Sequence, residues 1–406
     1  MQEKKHIIIY LYYSLRDPLC EGLMLSYLKT LKLSNIHFHL VTYEQDKYKM
    51  TTSDVIKTKK ELFDLGITWH PISYLSGRFF MLKKIQSAFK AIYYTRKVKR
   101  AFNLRLVCAM ATPVGSYVFI ASKIFKVPMC QFTFEPHAQI MMQSGRISAS
   151  SFKYKIAHWL EMKIGTEAEH VVCTSQHMLD DLKKLGAKGK LYRLPTSVDE
   201  SMNRFSDSNR KQIRESLHLE NKCVLIYPGK FGGMYRSEST IQFIHSYLER
   251  MENGHAIIIT DFSLATIESW IKNHKLDRNK ITLLPPVPLI DLPAYLSAAD
   301  IGLVAYEDFD VRKYCSPVKT GEYLLCGLPY IVQRGTSEDD VVAEQNNVGI
   351  VLNTFDKKGL DEKWTQLQSL LLEDKTQLQE RCRKIGMVYR GKKNALALLR
   401  TIFEKA

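Results

Sequence analysis

Residues 225–239 read LIYPGKFGGMYRSES, and this stretch decides the fold. It opens as a short apolar run, passes through a loop with three glycines and two cations, and ends in a helical pattern. A strand that breaks into such a loop and then a helix is the first turn of a βαβ unit. Working outward, further strand candidates follow at residues 256–261, 281–286, 301–306, 330–335 and 348–353, with helical patterns between them. Upstream the same alternation runs through residues 6–13, 36–43, 67–73, 104–110, 127–134, 170–175 and 190–195. The pattern therefore starts twice. Between the halves lies LPTSVDESMNRFSDSN (194–209), polar, turn-rich and suited to a linker. The expected architecture is α/β, with two doubly wound domains in tandem, over residues 1–197 and 198–385. Such sheets bind ligands at the carboxyl ends of their strands, and two facing sheets would hold one ligand each across a cleft.

The totals agree with a two-domain protein. The chain has 406 residues, 45% of them apolar. No apolar run approaches the roughly 20 residues that span a bilayer. The amino-terminal stretch MQEKKHIIIYLYYSLRD has no small-residue cleavage site, so it reads as a first strand and not as a signal peptide. The eight cysteines are scattered, without metal spacing or a disulfide pattern, which predicts reduced thiols in a cytosol and no metal site.

Charge is uneven. The formal net charge is +16, and residues 1–200 hold 30 Lys and Arg against 16 Asp and Glu. From Leu65 to Phe134 there is no acidic residue, while eleven Lys and Arg occur. One half is expected to face something anionic. Within it, residues 78–102 carry eight basic residues interleaved with Phe, Tyr, Leu and Ile. That is the pattern of a membrane-surface helix, with Lys83, Lys84, Lys97 and Lys99 as its membrane-facing cations. The plain alternative is a core-facing helix with a solvated basic side. No nucleic-acid motif accompanies the run, so nucleic acid is not an expected partner.

SPVKTGEYLLCGLP (316–329) reads as a second ligand element. Ser316 suits a helix cap and Pro317 the first helical residue. Val318 and Lys319 would then present free amides at the positive end of the helix dipole, a site for an anion. Glu322, one turn in, can accept hydrogen bonds from a ribose diol. Gly327 followed by Leu-Pro stops the helix. The alternative is an ordinary capped helix. In the glycine loop, Gly229 permits close approach, and Lys230 and Arg236 suit phosphates.

With these motifs in view, the chain resembles the GT-B glycosyltransferases, more narrowly the retaining nucleotide-sugar enzymes of glycosyltransferase family 4. The resemblance rests on SPVKTGEYLLCGLP, YPGKFGGMYR (227–236), LPAYLSAADIGLVAY (292–306), VVCTSQHMLDDLKK (171–184) and LPTSVD (194–199), in order over nearly the whole chain. It implies an amino-terminal acceptor domain and a carboxy-terminal domain that binds a UDP- or GDP-linked sugar. It also implies a final helix, residues 386–406, that crosses back to the first domain. Glu322 matches the family's ribose-binding glutamate, and Ser316, Pro317, Val318 and Lys319 the diphosphate site. Lys230 matches the first phosphate cation and Arg236 the second. The resemblance implies no cofactor and no catalytic metal, with front-face attack in which the leaving diphosphate takes the acceptor's proton. Two positions depart from the family pattern: Tyr314 stands where a second glutamate often faces the donor sugar, and residues 13–23 carry only Gly22 where a glycine pair is common. In FTFEPHAQIM (132–141), Glu135 and His137 sit where the family often has an acid or histidine facing the sugar; His137 could hydrogen-bond the reacting hydroxyl, and the resemblance makes His137, Lys230 and Arg236 the expected catalytic residues.

The expected function is transfer of a sugar, with retention, to a lipid-linked or other glycan acceptor in envelope or capsule polysaccharide synthesis. The enzyme would be cytoplasmic and peripheral on the inner membrane face. The competing readings are a nucleotide-sugar epimerase of the same fold and a non-catalytic relative that binds a partner enzyme.

Overall fold

A computed structural model of the chain describes residues 4–17, 20–31, 33–74, 80–133 and 135–406, without the side chains of residues 80–84. The chain forms two compact units, Met1–Leu194 with Lys393–Ala406, and Pro195–Lys392.

The first unit holds strands β1 (Lys5–Leu11), β2 (Ile36–Glu44), β3 (Ile67–Ser73), β4 (Leu104–Met110), β5 (Met129–Thr133), β6 (His170–Cys173) and β7 (Lys190–Arg193). They form one parallel sheet in the order β3-β2-β1-β4-β5-β6-β7. Its helices are α1 (Ser26–Leu31), α2 (Thr52–Asp64), α3 (Phe80–Ala101), α4 (Thr112–Phe125), α5 (His137–Gln143), α6 (Phe152–Glu167) and α7 (Gln176–Lys184). Both faces of the sheet are covered, which is why its central strands are continuous apolar runs. Ile7, Ile8 and Ile9 have no exposed surface. On one face Tyr10 donates to the carbonyl of Ala91 in α3 at 2.9 Å. On the other, Ile7 and Ile9 share a core with Leu399, Ile402 and Phe403. Small polar residues start the helices: Ser151 caps α6 by accepting from the Tyr154 amide, and Ser175 caps α7 by accepting from Met178.

The second unit repeats the plan with β8 (Cys223–Pro228), β9 (Gly254–Ile259), β10 (Ile281–Leu284), β11 (Ile301–Leu303), β12 (Tyr330–Gln333) and β13 (Gly349–Leu352). The parallel order is β10-β9-β8-β11-β12-β13, so the strand order reverses between β8 and β11. Ligands of such sheets sit outside that switch point. The helices are α8 (Asp207–Ser216), α9 (Glu238–Arg250), α10 (Leu264–Asn273), α11 (Leu292–Ala298), α12 (Val318–Leu325), α13 (Asp339–Asn346), α14 (Lys357–Leu372) and α15 (Lys375–Arg390).

The last helix, α16 (Lys392–Lys405), belongs to the first unit from Lys393 onward. Its Phe403 packs edge-on against Phe38 of β2, with ring centroids 5.3 Å apart. The expected start of this return at residue 386 is too early. Gly386 lies inside α15, which runs to Arg390, and a Cβ there would come within 2.9 Å of the Leu324 side chain, so this part of the chain still packs closely on α12. All eight cysteines are free thiols.

Candidate functional site

The switch point of the second sheet is where the two sequence motifs meet. After β8 the chain turns through Gly232 and Gly233, whose φ values of +83° and +68° lie in the left-handed region that favours glycine. Gly229 lies close to α12: a Cβ there would lie 2.6 Å from the Lys319 Nζ atom. The glycine loop and the start of α12 are therefore in contact through this lysine. The Tyr227 hydroxyl pins the loop by donating to the Lys230 carbonyl at 2.6 Å, and the Lys230 side chain is exposed.

α12 begins at Val318, one residue later than the cap pattern predicts, with Pro317 in the cap position and no side-chain cap. Ser316 does not cap it. Its hydroxyl accepts from the Thr196 amide at 3.1 Å and from the Arg390 guanidinium. The first-turn amides are left to whatever else approaches them.

Lys319 is the unusual group. Only 7% of it is exposed, and its Nζ is buried without a hydrogen-bond partner. It lies 4.4 Å from the ring centroid of Tyr227 and 4.9 Å from that of Tyr235. Ring faces attract a cation by up to about 2 kcal/mol, less than the cost of burying an unpaired charge. Burial accordingly lowers the Lys319 pKa to about 7, against the opposing pull of Glu322. Burial raises the half-buried Glu322 to about 7, against the pull of Lys319. An anion beside this pair would restore the lysine's charge.

Arg236 is placed differently from its expected role. It is buried, and it donates to Asp308 at 2.6 Å and to Gln333 at 2.9 Å, with its guanidinium 4.8 Å from the centroid of Phe355. The protein's own carboxylate holds it, so it braces the loop after β11 against the end of β12 and is not a free cation like Lys230. Tyr314 ends a short 3-10 turn, Asp310–Tyr314, with Lys313 Nζ 4.9 Å from its ring centroid.

In the first unit, Glu135 is half-buried, and removal from water raises its pKa. His137 is the first residue of α5. Its amide donates to Glu161 of α6 at 2.8 Å, and the Ala138 amide donates to the same carboxylate at 3.3 Å. Glu161 thus caps α5 from a neighbouring helix. Burial raises its pKa to about 7, partly offset by these bonds and by the Thr112 hydroxyl, which donates at 3.1 Å.

Residues 256–393 match the glucosyltransferase 3-like, C-terminal domain family. The fold is GT-B. The match takes in α12 with Lys319 and Glu322 and starts downstream of the glycine loop. No protein of curated function matches the chain by sequence. Among solved structures, the chain is similar to sucrose-phosphate synthase from Thermosynechococcus elongatus, with a TM-score of 0.73 at 12% identity over 99% of this chain and 98% of that one. It is also similar to the Anabaena protein HepE in complex with UDP and glucose, with a TM-score of 0.68 at 14% identity over 98% and 99%. A structure described as a UDP-N-acetylglucosamine 2-epimerase from Listeria monocytogenes has a TM-score of 0.60 at 12% identity over 98% and 97%. The GT-B frame alone therefore does not separate transfer from epimerisation.

Of the expected membrane-facing lysines, Lys97 is exposed on α3, while Lys99 donates to the Phe125 carbonyl at the end of α4. The side chains of Lys83 and Lys84 lie outside the described residues. The sequence reading missed Arg390 and Asp339, a buried ion pair. Around it Thr320 donates to Asp339 at 3.2 Å, and Ser316 and Thr196 contact Arg390. It also missed Glu161. Among the described residues, no group of three or more His, Cys, Asp or Glu is placed to hold a metal ion.

Proposed function

We propose that the chain is a retaining, nucleotide-sugar-dependent glycosyltransferase of the family 4 type. In this reading the donor's diphosphate lies at the opening of α12, between Lys319 and Lys230, and the Glu322 carboxylate accepts from the ribose hydroxyls. The observation that carries the reading is the buried, unpartnered Lys319 ammonium beside uncapped helix amides and packed against a glycine of the loop. A protein bears that desolvation where an anion is to be received. The partial match to a glucosyltransferase 3-like domain supports a sugar donor. The HepE structure with UDP and glucose supports a uridine donor in preference to guanosine.

In the reaction, the bond from the anomeric carbon to the diphosphate oxygen breaks on the face where the acceptor hydroxyl oxygen bonds. The acceptor's proton passes to the departing diphosphate. Lys319, Lys230 and the first-turn amides stabilise the charge that develops there, the role a metal fills in other enzymes. Arg236 positions the loops, and Glu135, His137 and Tyr314 are candidates for contacts with the sugar or acceptor. The acceptor is proposed to be a lipid-linked or other glycan, elongated in envelope or capsule synthesis by an enzyme peripheral on the cytoplasmic membrane face.

A thermal-shift screen against UDP, GDP and their sugars tests the donor. UDP and a UDP-hexose are expected to raise the melting temperature, because they bind only the folded state. If none of these ligands at millimolar concentration shifts the melt, the reading fails. Nuclear magnetic resonance of the products separates transfer from epimerisation: a new glycoside supports the proposal, and a changed free nucleotide-sugar contradicts it.

A further inference from the structure

The helices α3, α4 and α6 pack side by side, α4 in the middle, on the first unit's sheet. Their other sides carry large apolar residues in the open. On α3, Ile85, Phe89 and Tyr93 recur every fourth residue, and Phe89 is 65% exposed. On α6, Phe152, Ile156 and Trp159 fall on one face at i, i+4 and i+7 spacing, opposite the buried Glu161, Ile164 and Gly165. Phe152 is 77% exposed and Trp159 58%. Ile120 and Ile124 of α4 are exposed between them. Single exposed apolar residues need no explanation; rows on three adjoining helices mark an interaction surface.

The charge around these rows is of one sign. Arg96, Lys97 and Arg100 flank the α3 row, and Lys153 and Lys155 the α6 row, all exposed. α3 and α4 contain no acidic residue. α6 contains Glu161, which is buried, and Glu167, which is bound to Lys163 at 2.8 Å. A second copy of this chain would bring like charges together, which opposes self-association. A flat anionic surface with an apolar interior satisfies both the cations and the aromatic rings.

We propose that the outer face of α3, α4 and α6 docks on an anionic lipid bilayer, with Phe89, Tyr93, Phe152 and Trp159 inserted below the headgroups. This deepens the peripheral location proposed above and rests on it. It assigns the docking to residues that include α6, which the charge pattern of the sequence does not reveal. No helix among the described residues is long and apolar enough to cross a membrane, so the contact is interfacial.

The test uses the full chain and vesicles of phosphatidylglycerol and phosphatidylcholine in equal amounts, with pure phosphatidylcholine as control, read by co-sedimentation. The wild type is expected to sediment with the anionic vesicles at low salt, less so as salt rises, and not with the neutral ones. The double variant F152S/W159S is expected to partition at least about tenfold more weakly. Unchanged circular dichroism and an unchanged UDP-induced melting shift would show that it is folded. Wild type that stays in the supernatant overturns both the location and the surface. Wild type that sediments while the folded double variant sediments equally well overturns this surface alone. A wild-type dimer in size-exclusion chromatography that the variant abolishes, without vesicle binding, assigns the face to a second copy and also overturns the proposal.

Discussion

Lys319 concentrates the chemistry of the second unit in one side chain. Its ammonium is held between two tyrosine rings under Gly229, and neither ring supplies a hydrogen-bond acceptor of full strength. At pH 6, below the Glu322 value of about 7, the carboxyl carries its proton and Lys319 stands as an unpaired buried cation. Lys319→Met is therefore expected to raise the melting temperature of the free protein at pH 6. The gain should be on the order of 1–3 kcal/mol, the cost of a buried group left unsatisfied. A lower melt would show that the tyrosine cage already compensates the charge. Gly229→Ala would push the Lys319 ammonium out of its place between the rings, because the new methyl would meet Nζ at 2.6 Å. The Gly229 and Gly232 positions were legible in the sequence because glycine is chosen where the chain turns with positive φ, as at Gly232, or where another group comes close, as Lys319 does at Gly229. The cage was not, since Tyr227 and Tyr235 meet Lys319 only after β8 and α12 have come together.

Two elements of the first unit depend on partners distant in sequence. α5 begins with two amides that donate to the Glu161 carboxylate. Glu161→Ala is expected to destabilise by about 1–3 kcal/mol through those orphaned donors, read by chemical denaturation, and Glu161→Gln by less. An unchanged midpoint for the alanine variant would remove Glu161 as the cap. Beneath α3, the β1–β3 surface carries His6, His37, His39 and His70, with His39 bonded to His6 at 2.9 Å and to His70 at 3.2 Å. Burial first, then neighbouring histidines, lowers His39 to about 3; burial, then Lys97 and Lys59, lowers His70 to about 4. Both folded values lie below the ordinary 6.5, so the unfolded chain binds more protons in acid. The stability these two neutral rings contribute is complete above about pH 6.5 and is lost as pH falls toward 4, at up to about 1.4 kcal/mol per pH unit for each. In a denaturation series from pH 7 to 4, the double variant H39Q/H70Q is expected to lose less stability than the wild type. Parallel curves would contradict that assignment. Most of the thirteen strands among the described residues could be read from sequence because parallel strands buried on both faces leave apolar runs, as in β1, β4 and β9. The start of α12 was misplaced by one residue because the Ser316 hydroxyl is drawn to Thr196 and Arg390, and a local capping rule cannot see either contact.

At the scale of the molecule, the chain leaves the first unit at Leu194 and returns to it at Lys393. The return supplies core. Ala395, Leu399, Ile402 and Phe403 are fully buried in the first unit. At about 1.5–3 kcal/mol for each of the three large side chains, this burial rivals the 5–15 kcal/mol that holds a whole domain folded. Truncation after Gly391 is expected to abolish cooperative unfolding of the first unit and leave that of the second, which calorimetry would show as loss of one of two transitions. Two intact transitions would contradict it. The doubling of the fold and the polar linker were visible in composition and periodicity. The sheet orders and the point of return were not, because they are fixed by packing, as at Gly386 against Leu324. The proposed chemistry requires an anion to meet Lys319 at the opening of α12. Titration calorimetry of UDP into wild type and into Lys319→Met tests that most directly: the account predicts binding by the wild type and at least about tenfold weaker binding by the variant, and equal affinity in the two proteins would contradict it.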